Sequence, residues 1–238
     1  VKSAELIKHA SNSFLAMKIS FINSVAQICE RVGADVTKVA EGMGLDRRIG
    51  RAFLDAGVGY GGYCFGKDVA AFTRIAEKLG IDFQLLKATA RVNAQQRQHL
   101  VKRIEEVLRN LNRKTIAVLG LSFKPDTDDL RDAPSIDIIR SLRQAGAIIR
   151  AFDPQAMAQA NGLLSGATFC RGVYDAVKGA DCLVLMTEWN EFKDLDFGRV
   201  KKLMRQPVVV DGRNLYDPGI LRRLGFRYVG VGRGDDVD

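Results

Sequence analysis

The sequence has few of the residues that build metal centres, membrane spans or nucleic-acid tails. Its four cysteines, Cys29, Cys64, Cys170 and Cys182, form no Cys-x-x-Cys pair and have no ligand-like spacing to His9 or His99. A zinc site is therefore not expected, and none is assigned. No apolar run approaches the roughly 20 residues that a spanning helix needs, so no membrane segment is expected. No signal-peptide pattern opens the chain, which points to a reducing cytoplasm with free thiols. Basic residues outnumber acidic ones, 36 to 28, but come singly or in pairs such as Arg47–Arg48, Lys201–Lys202 and Arg222–Arg223. A net charge of +8 spread in this way argues against a nucleic-acid partner. It fits dispersed solvation with a few phosphate ligands. Internal repeats and low-complexity segments are also lacking. So is an initial methionine: the chain opens on Val1 and enters a helical pattern within a few residues. It reads as a piece of something longer.

What remains is an ordinary globular composition, 47% hydrophobic and 27% charged, in 238 residues. That length suits one large domain or two average ones with a core that needs no covalent staples. The two halves differ in texture. From Ala4 to Asn112 apolar residues recur at helical spacing. Leu6, Ile7, Ala10, Phe14, Met17, Phe21, Val25, Ile28, Cys29 and Val32 predict one long helix ending near Gly33. Short helices are predicted at Asp35–Met43 and Arg48–Ala56, then longer ones at Lys67–Lys78 and Phe83–Leu111. The glycine-rich segment Gly57-Val-Gly-Tyr-Gly-Gly62 interrupts them. From Lys114 onward, strand-like runs at Thr115–Leu119, Ile148–Phe152, Cys182–Met186, Val208–Val210 and Phe226–Val231 alternate with helical stretches, notably Ser135–Ala145 and Asp175–Lys178. That alternation predicts a parallel, doubly wound sheet, whose ligands bind beyond the carboxyl ends of its strands. Lys124, Asp153, Glu188 and Arg213 all come just after strand ends. The boundary falls near Asn110–Lys114, giving an all-α domain over residues 1–112 and a Rossmann-like domain over 113–238, an α/β protein as a whole.

Three constellations carry candidate chemistry. In Gly61-Gly-Tyr-Cys64-Phe-Gly-Lys67-Asp68 a cysteine comes after a glycine-rich turn and precedes a helix, where the dipole and free N–H groups favour a thiolate. Lys67 adds positive charge, and Asp68 shares a face with Cys64 if the helix begins early. The ordinary alternative is a small buried residue with a helix-start acid. Lys8 and Asn12, at i and i+4, present donors suited to a developing oxyanion, or else belong to a solvated helix face. After the first strand, Gly120-Leu-Ser-Phe-Lys124-Pro-Asp-Thr-Asp-Asp-Leu-Arg131 begins like a dinucleotide turn, but Ser122 stands where a second glycine belongs. Lys124, Arg131 and Arg213 remain candidate anion ligands, against the alternative of polar loops.

In this order, Ala4-Glu-Leu-Ile-Lys-His-Ala-Ser-Asn12, residues Gly57–Asp68, Phe123-Lys-Pro-Asp-Thr-Asp-Asp-Leu-Arg-Asp-Ala-Pro-Ser135 and Thr187-Glu-Trp-Asn-Glu-Phe192 resemble the UDP-glucose 6-dehydrogenases of the nucleotide-sugar dehydrogenase family. The resemblance covers essentially the whole chain. It implies the family's central helical dimerisation domain and C-terminal nucleotide-sugar domain, with the NAD-binding domain outside the sequence. It further implies that Cys64 is the nucleophile of a four-electron oxidation of UDP-glucose to UDP-glucuronate, with NAD as cofactor. Lys8, Asn12 and Asp68 match its catalytic partners. Tyr60, Gly61, Lys124 and Arg213 match substrate contacts, Arg48 one reaching across a homodimer, and Lys67 and Arg131 positions near the cofactor. Two residues depart from the usual Gly-Gly-Ser-Cys-Phe-Pro-Lys-Asp. Tyr63 replaces serine, adding bulk beside the nucleophile, and Gly66 replaces proline, loosening the turn. The alternatives are a GDP-mannose or other nucleotide-sugar dehydrogenase or, for this chain alone, a non-catalytic nucleotide-sugar-binding or dimerisation module.

Overall fold

The computed structural model describes residues 2–234; Val1 and the last four residues of the expected sheet domain lie outside them. The chain begins with α1 (Lys2–Val32), which stops at Gly33, whose φ of 71° ends a helix without a Cβ penalty. Next come α2 (Val36–Gly44), capped by the Asp35 carboxylate on Thr37 N–H, then α3 (Tyr63–Lys78) and α4 (Gln84–Leu108).

The expected helix over Arg48–Ala56 does not form; the segment is a series of turns. Asp46 accepts from the Arg48 N–H at 2.9 Å, and Lys18 from α1 takes the Ile49 and Gly50 carbonyls at 3.0 and 3.2 Å. Gly50 and Phe53 have φ values of 66° and 64°, outside helical space. The helix expected from Lys67 starts instead at Tyr63, because Gly62 supplies the φ of 82° that turns the chain into it.

Residues 115–230 form a six-stranded, wholly parallel sheet. Its strands are β1 (Thr115–Leu119), β2 (Ile148–Phe152), β3 (Thr168–Phe169), β4 (Cys182–Leu185), β5 (Val208–Asp211) and β6 (Arg227–Gly230), in the order β3-β2-β1-β4-β5-β6. Crossovers carry α5 (Pro134–Gln144), α6 (Met157–Leu163), α7 (Val173–Val177), α8 (Phe197–Leu203) and α9 (Pro218–Arg223). This is the doubly wound order, with its topological switch between β1 and β4. The two-residue strand β3 and helices α6, α8 and α9 are too short for periodicity to find. Among the described residues, no helix is long and apolar enough to cross a membrane.

The two halves share one core. Ile22, Ala26 and Cys29 of α1 and Leu100 and Ile104 of α4 join the same buried cluster as Ile116, Val118 and Val210 of the sheet. The apolar spacing that predicts α1 lies mostly on its uncovered side. Ile7, Phe14, Phe21 and Ile28 are all more than half exposed, while Ser13, Ala16, Ser20 and Asn23 face inward.

A polar tie closes the structure behind β6. Glu30 of α1 accepts from Gly232 N–H at 2.9 Å and contacts His99 of α4 at 2.6 Å. Burial alone would push the Glu30 carboxyl up, but the bonds from His99 and Gly232 outweigh it and hold it below its ordinary 4.5. A depressed carboxyl gives stability that is complete above its unfolded value and lost as pH falls through the folded one. Glu30→Gln should therefore cost about 1–3 kcal/mol at neutral pH. In urea unfolding, the gap from the parent should narrow as pH drops below 4.5. A gap that stays constant into acid would contradict this assignment.

Candidate active site

The segment 57–62 has no regular structure, so its backbone polar groups must find other partners. Side chains supply them. Asn23 Oδ1 accepts from Gly57 N–H at 2.9 Å, and Gln96 Nε2 donates to Gly57 O at 2.9 Å. Asn93 grips both sides of Tyr60, accepting from its N–H at 2.8 Å and donating to its carbonyl at 3.0 Å. Arg97 donates to Tyr60 O at 3.3 Å and Asp132 Oδ1 at 2.8 Å, and it also pairs with Asp137 of α5. Asn93, Gln96 and Arg97 fall at i, i+3 and i+4, so one buried face of α4 holds the loop. Gly61 is obligatory, since a Cβ there would collide with the Asp132 carbonyl and with Pro134 Cδ.

From this loop the chain enters α3, which puts Cys64 at its second position, exposed, whereas Cys29, Cys170 and Cys182 are buried. The early start puts Asp68 one turn behind Cys64 on the same face. Asp68 is buried, accepts from Asn12 Nδ2 at 2.6 Å and lies 3.3 Å from His9 Nδ1. Thus α1 and α3 bring Asn12, His9 and Asp68 together, one turn along α3 from Cys64. Lys8 is exposed one turn before Asn12 and, among the described residues, makes no hydrogen bond or ion pair. Gly66 lies within the first turn of α3 and not in a loop.

A cavity of about 350 Å³ adjoins the loop, lined by Ile19, Phe53, Tyr60, Gly61, Phe65, Phe123 and Arg213 among others. Burial pushes the Tyr60 phenol up to about 12, with the Asp132 charge adding to it, so the hydroxyl stays neutral. Arg213 is presented by the turn after β5, where buried Asp211 accepts from the N–H groups of Arg213 at 3.0 Å and Tyr216 at 2.9 Å. The guanidinium is braced by Met186 O at 2.8 Å, Phe123 O at 3.2 Å and Glu188 at 3.1 Å. A larger cleft of about 550 Å³ between α3 and α4 shares Tyr60 as a wall.

Not every expected residue converges here. Lys124 is exposed, its ammonium 5.6 Å from the Phe123 ring. Arg48 projects from the 46–53 turns, 89% exposed and paired with Asp46 at 2.6 Å, and lines neither of these spaces. Lys67 and Arg131 flank Tyr63, beside Cys64.

The switch point of the sheet is filled from within. Asp153, directly after β2 and fully buried, accepts from the N–H groups of Leu121 at 2.6 Å and Ser122 at 3.1 Å, and from the Trp189 indole at 3.1 Å. The backbone donors that would cradle a pyrophosphate are already spent on a carboxylate.

Sequence reasoning misses Asn93, Gln96, Arg97 and Asn23. The one available signal is the stripe Asn93-Ala-Gln-Gln-Arg97, polar at i, i+3 and i+4 inside a long helix. Asn93→Ala orphans the buried Tyr60 N–H. It should destabilise the protein by about 1–3 kcal/mol and speed amide exchange selectively over 57–62. Unchanged exchange there would show that another contact holds the loop.

Comparison with known proteins matches both halves of the chain. The central-domain profile of the UDP-glucose/GDP-mannose dehydrogenase family matches residues 2–95, and the UDP binding domain profile of the same family matches residues 117–218. UDP-glucose 6-dehydrogenase TuaD of Bacillus subtilis (strain 168) is 47% identical over 98% of this chain and 51% of its own length. The UDP-glucose 6-dehydrogenase of Rhizobium meliloti (strain 1021) is 46% identical over 98% of this chain and 54% of its own. The chain thus spans about half the length of the curated relatives it matches. A UDP-glucose dehydrogenase structure from Pyrobaculum islandicum superposes with a TM-score of 0.88 at 39% identity, covering 97% of this chain and 51% of that one. With both profiles matched in order and the fold reproduced throughout, the chain belongs to the UDP-glucose/GDP-mannose dehydrogenase family and carries its central and UDP binding domains.

Proposed function

We propose that this chain supplies the reacting thiol and the nucleotide-sugar pocket of an NAD-dependent UDP-glucose 6-dehydrogenase, which oxidises the C6 alcohol of UDP-glucose to the carboxylate of UDP-glucuronate. One observation carries the reading: an exposed Cys64 opens α3, with buried Asp68 one turn on, bonded to Asn12 at 2.6 Å. Names of relatives at 46–47% identity support UDP-glucose as the substrate.

NAD+, when bound, accepts a hydride at each of the two oxidations. Its phosphates suit Lys67 and Arg131, two exposed cations near Cys64, and do not suit the β1 turn, where Asp153 holds the amides. The chain's own groups do the rest. Once C6 has lost a hydride and its hydroxyl a proton, the Cys64 sulfur, as thiolate, adds to the resulting carbonyl carbon, and the carbonyl π electrons move to oxygen, giving a thiohemiacetal. Lys8 and Asn12 are the donors for that oxygen as it becomes negative. Loss of hydride from C6 leaves a thioester. Water then adds to it, Asp68 takes the water proton, and sulfur departs as the thiolate, releasing the acid. Phe53, Tyr60 and Phe123 wall the sugar's pocket, while Arg213 meets the diphosphate.

Residues 1–112 form the catalytic, dimerising domain in this reading and 113–238 the nucleotide-sugar domain. Ile7, Phe14, Phe21 and Ile28 recur every seven residues along the exposed side of α1, the seam a second copy would cover. Arg48, free of its own pocket, would then reach the partner's.

The complete protein should reduce about two NAD+ per UDP-glucuronate formed, because alcohol-to-acid oxidation removes two hydrides. Cys64→Ser should abolish acid formation, and full turnover by that variant overturns the nucleophile assignment. By calorimetry on this chain, Arg213→Ala should weaken UDP-glucose binding about tenfold, the effect of losing a charged hydrogen bond. Tighter binding of GDP-mannose than of UDP-glucose overturns the substrate.

A further inference from the structure

Tyr63 precedes Cys64 at the first position of α3, where the related motif has serine. Its ring is half exposed and belongs to none of the buried clusters, so packing does not explain it. Two cations do. Lys67 Nζ lies 4.6 Å from the ring centroid and Arg131 Cζ lies 4.7 Å from it, both within cation–π range. Lys67 is four residues on from Tyr63 and three from Cys64, so both are its neighbours on the helix surface. Arg131 comes from the loop after β1, and its carbonyl accepts from Gly62 N–H at 3.0 Å, tying that loop to the residue before Tyr63.

The two cations are not held alike. Asp129 grips Arg131 with contacts of 2.9, 3.1 and 2.7 Å. Among the described residues Lys67 has no ion pair, and the Tyr63 ring is its partner. Without the ring, Lys67 would be free to swing into solvent. Contact of both cations with the one ring keeps Lys67 beside the helix start that carries the thiol, as Asp129 keeps Arg131. Hydrogen bonding to Asp129 is the main reason the Arg131 guanidinium is held up, so it stays charged.

We propose that Tyr63 is a positioning residue, an aromatic shelf that fixes Lys67 and Arg131 beside Cys64 so that anionic reactants are drawn to the thiol. The inference rests on Cys64 being the reacting group, but its test does not require turnover.

Iodoacetate and iodoacetamide alkylate thiols by the same displacement of iodide and differ in one negative charge. With Cys29, Cys170 and Cys182 buried, labelling of this chain reports Cys64. The ratio of the iodoacetate to the iodoacetamide rate should fall about two- to fivefold in Tyr63→Ser, the factor expected from losing an exposed cation–π contact. Tyr63→Phe, which keeps the ring, should retain the parent ratio, and added salt should lower the ratio in the parent more than in Tyr63→Ser. An unchanged ratio in Tyr63→Ser, or an equal loss in Tyr63→Phe, overturns the shelf while leaving Cys64 as the reacting group. Failure of both reagents to label Cys64 in the parent overturns that reading together with this one.

Discussion

The structure depends on how a glycine-rich segment without secondary structure satisfies its buried backbone. Residues 57–62 give their N–H and C=O groups to Asn23, Asn93, Gln96 and Arg97, all from long helices that are rigid for independent reasons. A buried N–H or C=O left without a partner costs on the order of 1–3 kcal/mol, so this clasp has one good solution. The helix that begins at its end inherits its position. Gly62 aims α3, α3 aims Cys64 and Asp68, and Arg97 extends the same network to Asp132 and Asp137 across the junction with the sheet.

The two halves consequently act as one body at the site. Backbone meets backbone where Gly57 and Gly212 approach each other: a Cβ at Gly57 would stand 2.8 Å from Gly212 O, and one at Gly212 would stand 2.5 Å from Val58 Cγ1. Arg213 comes immediately after, braced by carbonyls from two different strand-end loops. The pocket therefore has one wall from the helical half, with Tyr60 and Phe65, and a sheet-derived wall bearing the charge of Arg213. Neither wall is complete without the other.

Much of this is legible in the sequence. Long periodic segments mark α1, α4 and the main strands, and the run Gly57–Asp68 marks a candidate site through glycine density and a cysteine at a helix start. Failures have physical reasons. The run Arg48–Ala56 has helical composition, but Lys18 and Asp46 hold its backbone in turns. Sequence pattern puts the start of α3 at Lys67 and not at Tyr63, because glycine and an aromatic residue read as loop when the tertiary clasp is unknown. On α1, periodicity identifies the helix but not which side is buried, since its inner face is built from Ser13, Ala16, Ser20 and Asn23. Asn93, Gln96 and Arg97 escape for the complementary reason. A polar stripe on a helix ordinarily means solvent, and only the fold turns it inward.

The Asp153 carboxylate has a wider meaning. It sits on the amides of the β1 turn as a competitor built into the chain, and a tethered group acts at an effective concentration of millimolar or higher. A free phosphate would have to displace it from the Leu121 and Ser122 amides, while Trp189, Gln155 and Ala156 also hold it in place. The sheet retains dinucleotide-type topology while its anion slot is permanently taken. The open cavity lies instead at the seam with the helical half, walled by Tyr60, Phe123 and Arg213.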